Sequence, residues 1–469
     1  MATGKALVCK LQNIKEIEGA DRIVQANLFG ETVIVSKDYQ EGMIGLLFDC
    51  ETQLSHDFVK HNNLYRESAL NVDKTKTGYM EENRRVRPIK LKGVRCSGLF
   101  MPIDSLDFTG DHHFDKDESY IGIEIDGNNG IKICQKYITQ KTKQSQGKNQ
   151  GGKARENLTP FFKEHIDTDQ ALRNLHLIQE GNLVTITEKL HGTSLRVASL
   201  PAKIKLSWWQ NLIHAFAGLI GHGIWEYKQP ELFEYSFLVG SRRVVKRIGE
   251  QEKEGASYYD TDIWSIAADK HFKGKLLKGE TIYAEIVGYL PDGQPIMGSQ
   301  SNKKLEKFMD KQEYKQFIAQ YGETTEFSYG LQRGEFDVYV YRITMTNEDG
   351  ESFDLSWDQV KMRCERMGVK YVPELHRGIT FNQSIKGGDD GSTLKTMKLL
   401  GMLELEDQIE NFTNQESDTF KSNLKEGIVL RIDNGSNTPI LLKSKAFAFK
   451  VIESIIKDSD IVDVEESQG

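Results

Sequence analysis

The sequence predicts an α+β protein in which a small strand-rich module precedes a larger mixed domain, and three observations predict it. Short apolar runs punctuated by Gly and Asp fill the first hundred residues: Ala6 to Leu11, Ile23 to Leu28, Glu31 to Val35, Met43 to Phe48, Arg85 to Leu91 and Gly98 to Pro102. Helical periodicity is scarce among them, so they suit a small barrel or sandwich. Residues 135–157 (QKYITQKTKQSQGKNQGGKAREN) are polar, basic and almost free of apolar side chains, the composition of a linker. From residue 158 onward, strand-like and helix-like runs alternate. The strands fall at Asn182 to Thr187, Thr281 to Val287, Phe336 to Ile343, Gly427 to Ile432 and Pro439 to Ser444, and the helices at Leu305 to Gln320 and Trp357 to Met367. The expected division is therefore 1–134, 135–157 and 158–469, which also answers to the length: 469 residues exceed one compact core.

Composition excludes a disordered chain and predicts no partner by itself. Hydrophobic residues make up 38% and charged residues 28%. A net charge of −8 means that a nucleic-acid partner needs a local basic stripe rather than a basic whole. Cys9, Cys50, Cys96, Cys134 and Cys364 are scattered without a CxxC pair, which reads as reduced, buried thiols. The first residues, MATGKALVCK, lack an apolar run of signal-peptide length, and a cytoplasmic location is expected. Trp208 to Trp225 is apolar but interrupted by Gln210, Asn211, His214 and His222, so it is expected as an amphipathic helix packed on its own domain, not a membrane span.

Arg84, Arg85, Arg87, Lys90, Lys92 and Arg95 crowd into RRVRPIKLKGVR. In an extended strand alternate members share a face and can line one groove for phosphates. The plainer reading is a solvated edge strand whose charges prevent aggregation.

The chemistry concentrates later. EKLHGTSLR, residues 188–196, joins two alternating strands, so Lys189 sits at a strand end with a glycine behind it. An amine there can attack phosphorus once burial or neighbouring cations make it neutral. On its own such a lysine is usually a surface loop residue. Further along, VGSRRVV carries Arg242 and Arg243, and ETIYAEIVGY places Glu285 inside an apolar strand, where a carboxylate needs hydrogen-bond donors. FDVYVYRI puts Tyr339 and Tyr341 on one expected face, a platform on which a base can stack. KEGIVLRI sets Glu426 before a glycine at a strand start. PILLKSKAF spaces Lys443 and Lys445 two apart, hence on one face, where two ammonium groups call for an anion. Each piece has a bland reading; their joint order does not.

In that order the segments resemble the covalent nucleotidyltransferase superfamily of DNA ligases, RNA ligases and mRNA capping enzymes. EKLHG is similar to its nucleophile motif, and SRR to the short arginine motif. YAEIVG, FDVYVYRI, KEGIVLR and LLKSK are similar to the motifs that follow. The resemblance runs from about residue 158 to the end. It implies an ATP-grasp-like nucleotidyltransferase domain of antiparallel sheets with flanking helices, preceded by an OB-like barrel that binds nucleic acid. His191 as third residue of the nucleophile motif resembles the RNA-repair ligases. The chain also stops about two dozen residues after Lys445, without the C-terminal OB module usual in DNA ligases and capping enzymes.

What the resemblance implies, residue by residue, is as follows. Lys189 attacks the α-phosphorus of ATP, with His191 and Gly192 in the same nucleotide-binding motif. Glu188 helps recognise adenine and Tyr341 stacks on it. Arg242, with Arg243 as competitor, contacts the sugar or a phosphate. Glu285 binds the ribose or a metal, and Glu426 sits beside Mg²⁺ or Mn²⁺. Lys443 and Lys445 neutralise the α-phosphate, and Arg196 reaches a phosphate. The activity implied is an ATP-dependent RNA ligase sealing 3′-OH and 5′-phosphate ends through lysyl-AMP, acting as a monomer on RNA or an RNA-ended nicked duplex. A DNA ligase, a capping guanylyltransferase and a non-catalytic RNA-binding protein are the alternatives. The long region from Trp208 to Lys253 has no residue-level account.

Overall fold

A computed structural model describes residues 4–114, 118–139, 158–203, 209, 233–252, 261–381, 398–402 and 404–458. The N-terminal module is built on β1 (Ala6–Lys10), β2 (Ile23–Leu28), β3 (Glu31–Ser36), β4 (Ile44–Asp49) and β5 (Gly98–Pro102). β1 lies between the short strand Glu124–Ile125 and β4, with β5 beyond, while β2 and β3 form a hairpin in a second sheet. β1 is buried on both faces, and this follows from its sequence. Ala6 and Val8 point into one core with Phe48 and Phe58; Leu7 and Cys9 point into the other with Val24, Ala26, Val33 and Val35. Of the strands expected here, only Arg85 to Leu91 is much shorter, reduced to Ile89–Leu91. Gln135 and Lys136, expected in the linker, pair with Gln53 and Thr52, so the module runs past residue 134.

The larger domain holds two sheets. The first is six-stranded and contains β6 (Leu183–Lys189), with β11 (Glu374–Phe381), β12 (Gly427–Asp433) and β13 (Ile440–Lys445). The second is eight-stranded and contains β7 (Thr193–Lys203), β8 (Phe233–Gly240), β9 (Glu280–Gly288) and β10 (Phe336–Thr346). Every residue of β9 is buried, as its unbroken apolar run around Glu285 implies for a central strand. The helices are α1 (Ile263–His271), α2 (Lys311–Tyr321), α3 (Trp357–Met367), α4 (Leu405–Asn414) and α5 (Phe447–Asp458). The helix expected over Leu305 to Gln320 is two elements, because Asp310 caps α2 in a capping box with Glu313 and closes the 3₁₀ turn Asn302–Phe308 before it. Trp264 and Trp357 pack into the core of the second sheet, and Ile409 of α4 into that of the first.

The modules meet through charge. Arg173 reaches Asp49 at 3.4 Å and Glu124 at 3.3 Å, Lys450 reaches Glu31 at 2.6 Å, and Lys445 reaches Glu51 at 2.8 Å. All five cysteines are free and buried, as expected. The apolar 208–225 segment lies outside the described residues apart from Trp209, which is exposed. Among the described residues no helix is long and apolar enough to cross a membrane.

Candidate active site

β6 ends at Lys189 and β7 begins at Thr193, so Leu190, His191 and Gly192 carry the chain from one sheet to the other. Lys189 therefore sits where the two sheets part. Only glycine fits at 192: a Cβ there would lie 2.2 Å from the Ile286 carbonyl oxygen and 2.9 Å from Glu285 Cγ. That close approach lets the Gly192 N–H donate to Glu285 Oε1 at 3.1 Å, which satisfies one oxygen of the buried carboxylate. The His191 N–H donates to the Tyr329 hydroxyl at 2.6 Å.

Lys189 Nζ lies 2.7 Å from Glu426 Oε1, with 28% of the lysine side chain exposed against 4% of the glutamate. Glu426 Oε2 is buried, accepts no hydrogen bond from the described residues and stands 3.7 Å from His191 Nδ1. The following residue, Gly427, has φ 155°, and a Cβ there would meet the Ser444 carbonyl oxygen at 2.0 Å. Its missing side chain lets β12 start hard against β13 and sets Glu426 at the sheet end.

A cavity of about 140 Å³ opens beside Lys189. Thr187, Lys189, Val429 and Arg431 face it from the first sheet, and Ser194, Tyr283, Glu285, Tyr341 and Arg342 from the second. Arg342 is fixed by Asp354 at 2.5 and 2.9 Å and lies 4.6 Å over the Tyr283 ring. The segment entering the domain completes the wall with His165, Ile166 and Thr168. Arg242 lines the cavity and pairs with Asp167 at 2.7 Å; Arg243 is not among the lining residues.

Several expected positions are revised. Tyr339 and Tyr341 do not share one pocket, because a register shift in the β9–β10 pairing leaves Tyr341 as the extra residue. Tyr341 contacts His165 Nδ1 at the cavity, whereas Tyr339 packs edge-on to Phe420 and lines a separate hollow with Lys370. Arg196 is not brought to a phosphate site: it is 1% exposed, its Nε donates to the Ser241 carbonyl at 2.7 Å, and its Nη1 donates to those of Phe162 and Lys163. Glu188 lines the cavity as expected, while its carboxylate accepts a hydrogen bond from Ser417 at 2.7 Å. Burial raises its pKa, against the lowering effects of Ser417 and Lys425.

Lys443 and Lys445 do share a face, but it lines a cavity of about 250 Å³ between the modules. The anions that offset Lys445 there are Glu51 at 2.8 Å and Glu453 at 2.7 Å. Burial, and then the charge of Lys445, pushes the Lys443 ammonium down to about 8. The expected basic groove of residues 84–95 is likewise broken up. Arg84 donates to Leu54 and Glu82 carbonyls, and Arg85 is buried and donates to the Ser454 carbonyl. Arg87 pairs with Glu81, and Arg95 with Glu313.

A divalent cation tests the acids of the site. No cluster of three or more His, Cys, Asp or Glu side chains stands ready for a metal among the described residues. The buried, hydrogen-bond-free Oε2 of Glu426 does fit a cation that takes one or two carboxylates and completes its shell with water and substrate phosphates.

A family model described as RNA ligase matches residues 182–452, more than half of the sequence. The chain belongs to the RNA ligase family. Within that match lie Lys189, Glu285, Tyr341, Glu426 and Lys445, so the RNA ligase expectation is borne out at the family level. The fold of this RNA ligase is similar to that of a Naegleria gruberi RNA ligase mutant in its apo form. That pair has 16% identity and a TM-score of 0.51, covering 96% of this chain and 98% of the other. A Naegleria gruberi RNA ligase with pyrophosphate matches at 16% identity and a TM-score of 0.50, covering 95% of this chain and 97% of that one. Among curated proteins no sequence matches. Sequence reasoning missed His165, Tyr329 and Arg431 in this RNA ligase. His165 lies just past a polar linker and carries no local signal; Arg431 stood in a recognised strand without a role.

Proposed function

We propose that this ligase seals RNA 3′-OH and 5′-phosphate ends, using ATP with Mg²⁺ or Mn²⁺, through a lysyl-AMP and an adenylylated 5′-phosphate, in the repair of nicked duplexes. The observation that carries the reading is the convergence of Lys189, Glu285 and Tyr341 on one cavity between two sheets, with Glu426 paired to Lys189. At about 140 Å³ the cavity is smaller than the roughly 300–1,000 Å³ of pockets that enclose a whole ligand. It suits a base and ribose, with the phosphates projecting past Lys189.

Lys189 Nζ attacks the α-phosphorus; the N–P bond forms as the bond to the bridging oxygen breaks, and pyrophosphate leaves with that electron pair. An oxygen of the RNA 5′-phosphate then attacks the same phosphorus, the N–P bond breaks, and the amine takes back a proton. In the last step the 3′-OH attacks the 5′-phosphorus and AMP departs. All three are in-line displacements at phosphorus, so positioning and charge supply most of the catalysis.

The amine must be neutral to attack, and Glu426 at 2.7 Å stabilises its ammonium form. Glu426 cannot serve a divalent cation and that ammonium fully at once. A metal there would be held by Glu426 and Glu285 and would supply charge for the phosphates. Tyr341 stacks on the base, Glu285 takes a ribose hydroxyl or the metal, and Arg242 faces sugar or phosphate. Lys443 and Lys445 serve the phosphates, which requires Lys445 to exchange a carboxylate of Glu51 or Glu453 for a phosphate oxygen. The N-terminal OB-like module binds the polynucleotide.

Incubation with Mg²⁺ and α-labelled ATP, followed by denaturing electrophoresis, tests the reading. Label retained by the wild type and lost in Lys189→Ala is expected. No label from ATP overturns the reading, and label from GTP alone replaces it with the capping reaction.

A further inference from the structure

Part of the wall of the cavity beside Lys189 is apolar. Ile166, Trp357, Val372 and Leu441 supply the apolar wall, and His165 and Arg431 line the same space. His165 Nδ1 contacts the Tyr341 hydroxyl, while its Nε2 is buried without a hydrogen-bond partner among the described residues. Arg431 is 4% exposed. Its Nε donates to Asp433 at 3.0 Å and one terminal nitrogen to the Leu355 carbonyl at 2.7 Å, but its Nη1 is buried with no partner among the described residues. Buried polar atoms are rarely left unpaired, and two of them on one cavity that suits a base and ribose point to groups that a ligand brings.

We propose that His165 and Arg431 read the Watson–Crick edge of the base and make the site select adenine over guanine. The inference rests on the ligase reading above and names its specificity determinants. Arg431 can only donate, and it stands ready for an acceptor such as adenine N1. His165 lies among Arg196, Arg242 and Arg342, and burial first, then those charges, holds its pKa well below the ordinary histidine value. The ring is therefore neutral, with one donor and one acceptor nitrogen. With the proton on Nδ1 and donated to the Tyr341 oxygen, Nε2 accepts a hydrogen bond from the adenine 6-amino group. Tyr341 thus stacks on the base and sets the tautomer that reads it. Guanine turns both contacts around: its N1–H meets the Arg431 donor and its O6 meets the His165 acceptor.

Base analogues test this in the full-length ligase. Self-adenylylation is measured at limiting nucleotide with ATP, with purine riboside triphosphate, which lacks the 6-amino group, and with 1-deaza-ATP, which lacks N1. In the wild type each analogue should be used about 10–100-fold less efficiently than ATP, the effect of one unmade buried hydrogen bond. In His165→Phe the purine riboside penalty should vanish while the 1-deaza penalty stays. In Arg431→Met the pattern should reverse. A merely structural role would slow all three nucleotides alike and leave both penalties in place, and that result overturns the proposal. If a variant does not fold, the wild-type series alone decides: equal use of ATP and both analogues overturns it. Wild-type protein that takes no label from ATP would instead bring down the ligase reading, and this inference with it.

Discussion

Two lysines at strand ends of one sheet show how differently one fold can treat the same side chain. Lys189 reaches Glu426 at 2.7 Å with more than a quarter of its side chain exposed. Lys445 is held between Glu51 and Glu453, and only 15% of its side chain is exposed. The first ion pair opens on a cavity, where an incoming phosphate or metal can rearrange it. The second closes an interface, and Lys445 is held well above the ordinary lysine pKa, because Glu453 and Glu51 outweigh its burial. The lysine proposed to react is left one easy exit; the lysine that joins the modules is braced from two sides.

The contrast is broken most completely by Lys189→Ala, which should abolish covalent labelling. Glu426→Ala comes next: labelling should fall by at least about 100-fold, with the Mg²⁺ dependence flattened, because the site loses charge preorganised for the phosphates. Normal metal dependence in that variant would move the metal ligand elsewhere. Lys445→Met should show mainly as instability, about 2 kcal/mol, since it removes the cation shared by two half-buried carboxylates. Glu51→Gln should cost less, about 1 kcal/mol, because Glu453 remains. It is also a cleaner probe of docking than deletion of the module, which would uncover Arg173, Lys445 and Lys450 together.

The last effect concerns pH. The Lys443 ammonium stands at about 8 in the folded protein against an ordinary 10.5. Between those values the unfolded chain holds a proton that the folded protein has shed, so this residue makes stability rise as pH climbs through that window. Lys443→Met should remove the rise, read as the difference between wild-type and variant urea midpoints at pH 7.5, 9 and 10.

What was legible in the sequence was local. The strand carrying Glu285 announced itself by an unbroken apolar run, and the KLHG turn by a glycine between two alternating strands. The helix expected over Trp357–Met367 is found there, and the structure shows its limits: Ser356 caps its start and Gly368 its end. What stayed hidden depends on partners far along the chain. Nothing near Arg196 tells that three carbonyls wait for it, and nothing near Lys445 announces Glu51, 394 residues away. The extra residue at Tyr341 was invisible for a related reason: alternation assigns faces only while the register is unbroken. The cations of residues 84–95 looked like a groove because composition counts charges without saying which are already answered.

The buried pairs between the modules have a consequence for handling the molecule. Arg173, Lys445 and Lys450 keep only 4%, 15% and 12% of their side chains in contact with solvent. Dissolved ions screen such pairs poorly, whereas a polynucleotide held through its phosphates loosens steeply as salt rises. A concentrated salt wash should therefore strip bound nucleic acid from this protein and leave its two halves clasped, so that clean protein and intact protein are obtained from the same step.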